Sequence, residues 1–83
     1  MTVRDFLKVF DCVGLKAIYY MEDDDQIPLW EGSAYETPWW VAEYELAKDD
    51  GDGGEPISYR GSLGKEYNNS PGLVFSLKEP KED

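Results

Sequence analysis

Apolar residues recur at positions 3, 6, 7 and 10 of this chain, and that spacing predicts a helix. Val3, Phe6, Leu7 and Phe10 stand at i, i+3, i+4 and i+7, one stripe of a 3.6-residue period. Thr2 suits the N-cap, with Asp5 three residues later as a variant of the capping box. Gly14 offers a C-terminal stop, and Val9 and Val13 widen the apolar face. Residues 15–21 are rich in strand formers, and the run Glu22-Asp23-Asp24-Asp25-Gln26 breaks them off. Residues 27–31 read as a second strand. Pro28 cannot donate to a ladder, so this strand belongs at an edge. The pair predicts a hairpin with a five-residue acidic loop.

Thr37 as N-cap with Pro38 at the first helical position predicts a short helix of one or two turns. Ser33 with Glu36 is a second capping option. From Ala42 the pattern alternates, Ala42, Tyr44 and Leu46 against Glu43, Glu45 and Ala47, as in a half-buried strand. A single helix over 39–47 is the rival reading, because Trp40, Tyr44 and Ala47 share a helical face. Residues 48–56 form a Gly- and Asp-rich loop. Residues 57–63 suit a short strand, and Asn68-Asn69-Ser70-Pro71-Gly72 a turn. So long a loop segment, 48–72, points to function or mobility. Leu73, Phe75 and Leu77 alternate in a last strand, and a tail over 78–83 is expected to fray. The fold class is α+β: one domain over 1–83, with a small antiparallel sheet of three to five strands. The N-terminal helix packs on one face of that sheet, and a second short helix follows.

A chain of 83 residues buries only about 60–65% of its unfolded surface. Aromatic residues make up 14% of it, and large rings can stiffen so thin a core. Composition therefore favours a folded protein over a disordered one. A lone cysteine, Cys12, excludes an internal disulfide. Small secreted domains usually carry several, so the expected setting is reducing and cytoplasmic. No apolar run is long enough to span a bilayer, and no signal peptide is expected.

Charge changes the picture more. The net charge is −10, which opposes binding to nucleic acid or an anionic membrane and points to a basic protein partner. Twelve acidic residues lie in 22–55: Glu22, Asp23, Asp24, Asp25, Glu31, Glu36, Glu43, Glu45, Asp49, Asp50, Asp52 and Glu55. Lys48 is the single base there, giving −11, while six acids and seven bases elsewhere give +1. Crowded carboxylates repel and destabilise a fold, so their concentration is a candidate functional feature. Trp30, Tyr35, Trp39, Trp40 and Tyr44 lie in the same segment. Rings that anchor and acids that steer make an interface, although core rings with a solvated acidic rim would leave the same pattern. Trp39 and Trp40 are adjacent, so at least one is expected to be exposed and to serve as an anchor. On one strand, Glu43 and Glu45 would set carboxylates roughly 6.7 Å apart, near every second phosphate of a DNA strand.

Catalytic chemistry is sparse. The absence of histidine removes the usual general base near neutral pH and the commonest metal ligand. Cys12, placed on the first helix, reads as a small core residue. Gly61-Ser62-Leu63-Gly64-Lys65 lacks phosphate-loop spacing. Asp49, Asp50, Asp52 and Glu55 do not meet the calcium-loop spacing. No catalytic residue, metal or cofactor is expected.

Thr2-Val3-Arg4-Asp5-Phe6-Leu7, the Trp30-Glu31-Gly32 step, the Pro38 helix start and the strand Leu73-Val74-Phe75-Ser76-Leu77 resemble small uncharacterised proteins of bacterial phages and integrative elements. Those relatives have no agreed activity, so no residue role carries over. In character, small, acidic and His-free, the chain also resembles anti-CRISPR and anti-restriction proteins that imitate DNA. That resemblance implies a non-enzymatic inhibitor whose residues 22–55 occupy the basic channel of a CRISPR nuclease or another nucleic-acid enzyme. The alternative is a general interaction domain anchored by Tyr35, Trp39 and Trp40, including a homodimer formed through an edge strand.

Overall fold

A computed structural model describes residues 1–24, 26–47 and 56–80. The fold is α+β: a mixed five-stranded open sheet with two helices, one of them N-terminal. In chain order the elements are α1 (Val3–Val9), β1 (Lys16–Met21), β2 (Trp30–Ser33), α2 (Trp39–Ala42), β3 (Glu45–Leu46), β4 (Ile57–Arg60) and β5 (Gly72–Lys78). Single 3₁₀ turns cover Ala34–Glu36 and Lys65–Tyr67.

The start of α1 follows the sequence. Asp5 N–H donates to Thr2 Oγ1, and Thr2 N–H donates back to Asp5 Oδ2, each at 3.2 Å, closing the capping box. These bonds to Thr2 hold the Asp5 carboxyl below its ordinary pKa. The helix ends earlier than Gly14. Asp11 Oδ1 accepts from Val13 N–H at 3.1 Å, a local bond that competes with helix. Leu15 N–H then closes a turn on Cys12 O with Gly14 at φ 77°, as a type II turn requires. Cys12 therefore lies beyond the helix, buried in the core. Val9 (80% exposed) and Val13 (64%) do not widen the buried face as expected: Val9 falls off the stripe and Val13 sits in the turn.

The central pair is β1 and β5, and they run parallel, Ala17 opposite Leu73 and Tyr19 opposite Phe75. The sheet is thus mixed rather than wholly antiparallel. β2 pairs antiparallel with β1 as an edge strand. It begins at Trp30 rather than residue 27, because Tyr19 stands opposite Trp30 and Ile27 is left exposed. On the outer side of β5, β3 and β4 follow one another along the same edge, both antiparallel. Ala47 N–H donates to Ser76 O, and Ser76 N–H donates to Pro56 O. The chain therefore leaves this edge at Ala47 and rejoins it at Pro56, both opposite Ser76; the Gly- and Asp-rich loop expected over 48–56 falls, up to residue 55, outside the described residues.

Alternation places Ala17, Tyr19, Leu73, Phe75 and Leu77 on the face beneath the helices, all buried. Rings bind this face together. Phe10 stacks on Phe6 (centroids 5.0 Å apart), Phe6 meets Phe75 edge-on (5.6 Å), Phe75 stacks on Tyr19 (4.5 Å), and Tyr19 leans on Trp30 (5.9 Å). Five rings thus run from α1 across the sheet to β2, each pair worth roughly 0.5–1.5 kcal/mol beyond area burial. Residues 61–71 cross the opposite face, where Tyr67 O–H donates to Glu31. Gly72 makes room for that crossing: a Cβ there would stand 2.3 Å from Leu63 Cδ1 and 2.9 Å from Lys16 O.

The short helix begins one residue later than Thr37 and Pro38 suggest, with Pro38 as N-cap. Thr37 faces backward instead, donating to Ala34 O (2.8 Å) and pairing with Tyr19 O–H (2.7 Å). Ser33 precedes the 3₁₀ turn without a side-chain capping bond. Neither reading of 39–47 holds throughout: one helical turn gives way to a two-residue strand. The expected strand in 57–63 is β4, and Lys78, expected in the tail, instead closes β5 opposite Glu45.

Candidate functional site

β1 and β5 end side by side because they are parallel, and Glu22 N–H extends their ladder to Leu77 O at 2.8 Å. The chain then turns at once, Asp24 N–H donating to Met21 O. Asp24 Oδ1 accepts from Gln26 N–H at 3.2 Å and steadies the turn. The result is a notch of about 620 Å³ lined by Met21, Glu22, Asp23, Asp24, Lys78 and Glu79. Four acidic residues and one lysine are among those that line it. Among the described residues one ion pair lies within 4.0 Å, the Met1 amino group with Glu45 at 3.3 Å, so the acids of the notch outnumber Lys78 and none is paired with it at that distance. Its negative potential reaches into solvent, where it attracts cationic groups.

The other predicted acids are dispersed. Glu36 is exposed in the 3₁₀ turn that follows Ser33, and Ser33 stands opposite Lys16 at the start of β1. The notch follows Met21 at its far end, so the two regions lie roughly 17 Å apart at ~3.3 Å per residue. Glu31 points to the opposite face of the sheet, where it accepts the Tyr67 hydroxyl proton. That bond, with some burial, pushes the Tyr67 hydroxyl up to about 12.

Glu43 and Glu45 do not share a strand. Glu43 caps α2 and is exposed, whereas Glu45 opens β3, half-buried beside the Met1 amino group. The phosphate-like spacing expected of them is therefore not formed. Asp25, Asp49, Asp50 and Asp52 lie outside the described residues.

The aromatics divide cleanly. Trp30 and Tyr44 pack against the core, and Trp30 folds over Gly32, where a Cβ would meet its ring at 2.8 Å. Tyr35, Trp39 (70% exposed) and Trp40 (40%) face solvent. Trp39 lies in the single turn of α2, whose inward side is taken by Val41 and Ala42.

Sequence reasoning missed Glu79 and Lys78, which it assigned to a fraying tail. They join the notch because β5 runs beside β1, a pairing with no local signature. Among the described residues no group of three or more His, Cys, Asp or Glu is placed to hold a metal ion, and no helix is long and apolar enough to cross a membrane. No protein-family model, curated protein or solved structure matches the chain.

Proposed function

We propose that this protein is a non-enzymatic acidic binding protein whose notch at the ends of β1 and β5 receives a basic surface of a nucleic-acid enzyme, inhibiting it. A DNA-mimicking inhibitor of a CRISPR nuclease is the concrete form of this reading. The notch carries it: Glu22, Asp23, Asp24 and Glu79 line it with Lys78, four carboxylates to one ammonium, and among the described residues none of them forms an ion pair within 4.0 Å. A lysine or arginine entering it replaces bound counterions, much as it does on a phosphate backbone.

The test is capture from a bacterial lysate carrying a CRISPR nuclease, washed at low and then high salt and identified by mass spectrometry. A nucleic-acid enzyme held at low salt and released at high salt supports the reading. Asp23→Lys with Asp24→Lys should lower that capture roughly tenfold or more, because reversal turns attraction into repulsion. Both residues are exposed, and Asp24→Lys also removes the bond from Gln26 N–H that steadies the turn, so stability should fall by about 1 kcal/mol; Asp23→Lys alone should leave it within about 0.5 kcal/mol.

One observation favours a second reading. Tyr35, Trp39 and Trp40 are exposed along one short stretch, which suits an interaction domain anchored by rings. That reading expects salt-resistant binding lost on Trp39→Ala.

A further inference from the structure

The face of the sheet turned away from the helices carries a small cleft that the notch does not use. Register puts Ile18 and Tyr20 of β1, Val74 of β5 and Arg60 of β4 on that face. Arg60 stands opposite Gly72, and Val74 opposite Ile18. Gly72 has no side chain, so Leu63 lies over its place. Residues 61–71 then cross above these strands, held by their own backbone. Leu63 N–H donates to Ser70 O at 3.0 Å, and Asn69 N–H donates to Gly64 O at 2.8 Å. The bond from Tyr67 O–H to Glu31 ties the crossing to β2. Between crossing and sheet remains a cleft of about 230 Å³.

Two chemistries meet there. Ile18, Val74 and Leu63 supply aliphatic surface. Arg60 brings a guanidinium from β4 and Glu66 a carboxylate from the crossing, and both residues are exposed. Opposite charges lining one cleft could neutralise each other, yet among the described residues no ion pair within 4.0 Å joins them. A ligand that brings a counterpart for each charge can therefore engage both. A guanidinium takes a carboxylate through two parallel hydrogen bonds, and a carboxylate accepts from an ammonium. Net charge narrows the choice further. A chain of charge −10 repels an anion, and its many other acids compete for a cation, whereas a zwitterion meets neither effect.

We propose that this cleft binds a free α-amino acid with an aliphatic side chain. The ligand's carboxylate pairs with Arg60, its ammonium pairs with Glu66, and its side chain lies against Ile18, Val74 and Leu63. A peptide does not offer this set, because its internal residues lack both charges and each terminus carries only one. The backbone around the cleft is fixed before the ligand arrives, so little chain ordering opposes binding. The site stands or falls apart from the notch, with which it shares no residue.

Titration of isotope-labelled protein with L-leucine, followed by amide NMR, tests the site. The expected result is saturable shifts across 61–72 and at Ile18, Tyr20 and Arg60, with the turn at 22–24 unmoved. Isoamylamine, which lacks the carboxylate, and isocaproate, which lacks the ammonium, should each bind roughly tenfold or more weakly than leucine. Arg60→Gln and Glu66→Gln should weaken leucine binding to the same degree. Both side chains are exposed, so the spectra of these variants should show an intact fold. Asp23→Lys should leave leucine binding unchanged. The absence of shifts up to the solubility of leucine overturns the proposal. Equal binding of leucine and either analogue overturns it too, as does binding that survives both Arg60→Gln and Glu66→Gln.

Discussion

Where β1 and β5 end, Glu22, Asp23, Asp24 and Glu79 stand in solvent around Lys78. Along β4, Phe6, Phe10, Ile57 and Tyr59 border a groove that has no carboxylate among its described lining residues. Both surfaces lie at margins of the same sheet, and β5 runs through both. Gly72 to Phe75 pair with β4, while Leu77 and Lys78 lead to the notch. One margin of the sheet presents a cluster of acids, the other an apolar groove, while further acids and the rings of Tyr35, Trp39 and Trp40 are exposed elsewhere. That separation gives each surface its own physics, steering at the notch and desolvation at the groove.

The largest change that would break the comparison removes the shared support. Phe75 is wholly buried and touches the rings of both Phe6 and Tyr19. Phe75→Ala should cost about 3–5 kcal/mol, seen as a lower midpoint in denaturant unfolding, and both surfaces should be lost together.

A second effect belongs to high pH. Burial pushes the Tyr19 hydroxyl up to about 12, against the opposing pull of its bond to Thr37. The folded protein therefore favours the neutral phenol. The associated stability is fully present below the ordinary tyrosine value near 10 and is lost as pH rises toward 12. Denaturant midpoints should fall across that window, and Tyr19→Phe should flatten the fall.

A smaller effect separates the two margins. Thr2→Ala removes the side-chain half of the capping box and should cost about 1 kcal/mol. Fraying of α1 should loosen Phe6 and Phe10, and with them the groove, while leaving the turn at 22–24 unchanged. Amide hydrogen exchange would show whether the disturbance stays on that side.

Much of this arrangement was legible in the sequence, and the parts that were not have physical reasons. The capping box of α1 and the buried alternation of Leu73, Phe75 and Leu77 were visible because cap and period are local properties. Strand direction is not local: the alternation names the buried face of β5 but not its parallel pairing with β1. The composition of 27–31 suggests a strand from Ile27, three residues before the one that forms, because an apolar run does not show where its partner strand ends. Ladder pairing begins instead at Trp30, whose ring needs Gly32 beneath it. Counting acids along the chain showed an excess in 22–55 but not its geometry. The fold sends Glu36 and the notch to opposite ends of β1, divides Glu43 from Glu45, and recruits Glu79 from outside the segment.

The most direct test of the acidic notch is a cleavage assay with a CRISPR nuclease recovered by capture, run with and without this protein at low and high salt. Cleavage should fall at low salt and recover at high salt. It should also recover at low salt when this protein carries Asp23→Lys and Asp24→Lys. Cleavage that is unaffected at any ratio of the two proteins would contradict the inhibitor reading, and so would inhibition that the double reversal leaves unchanged.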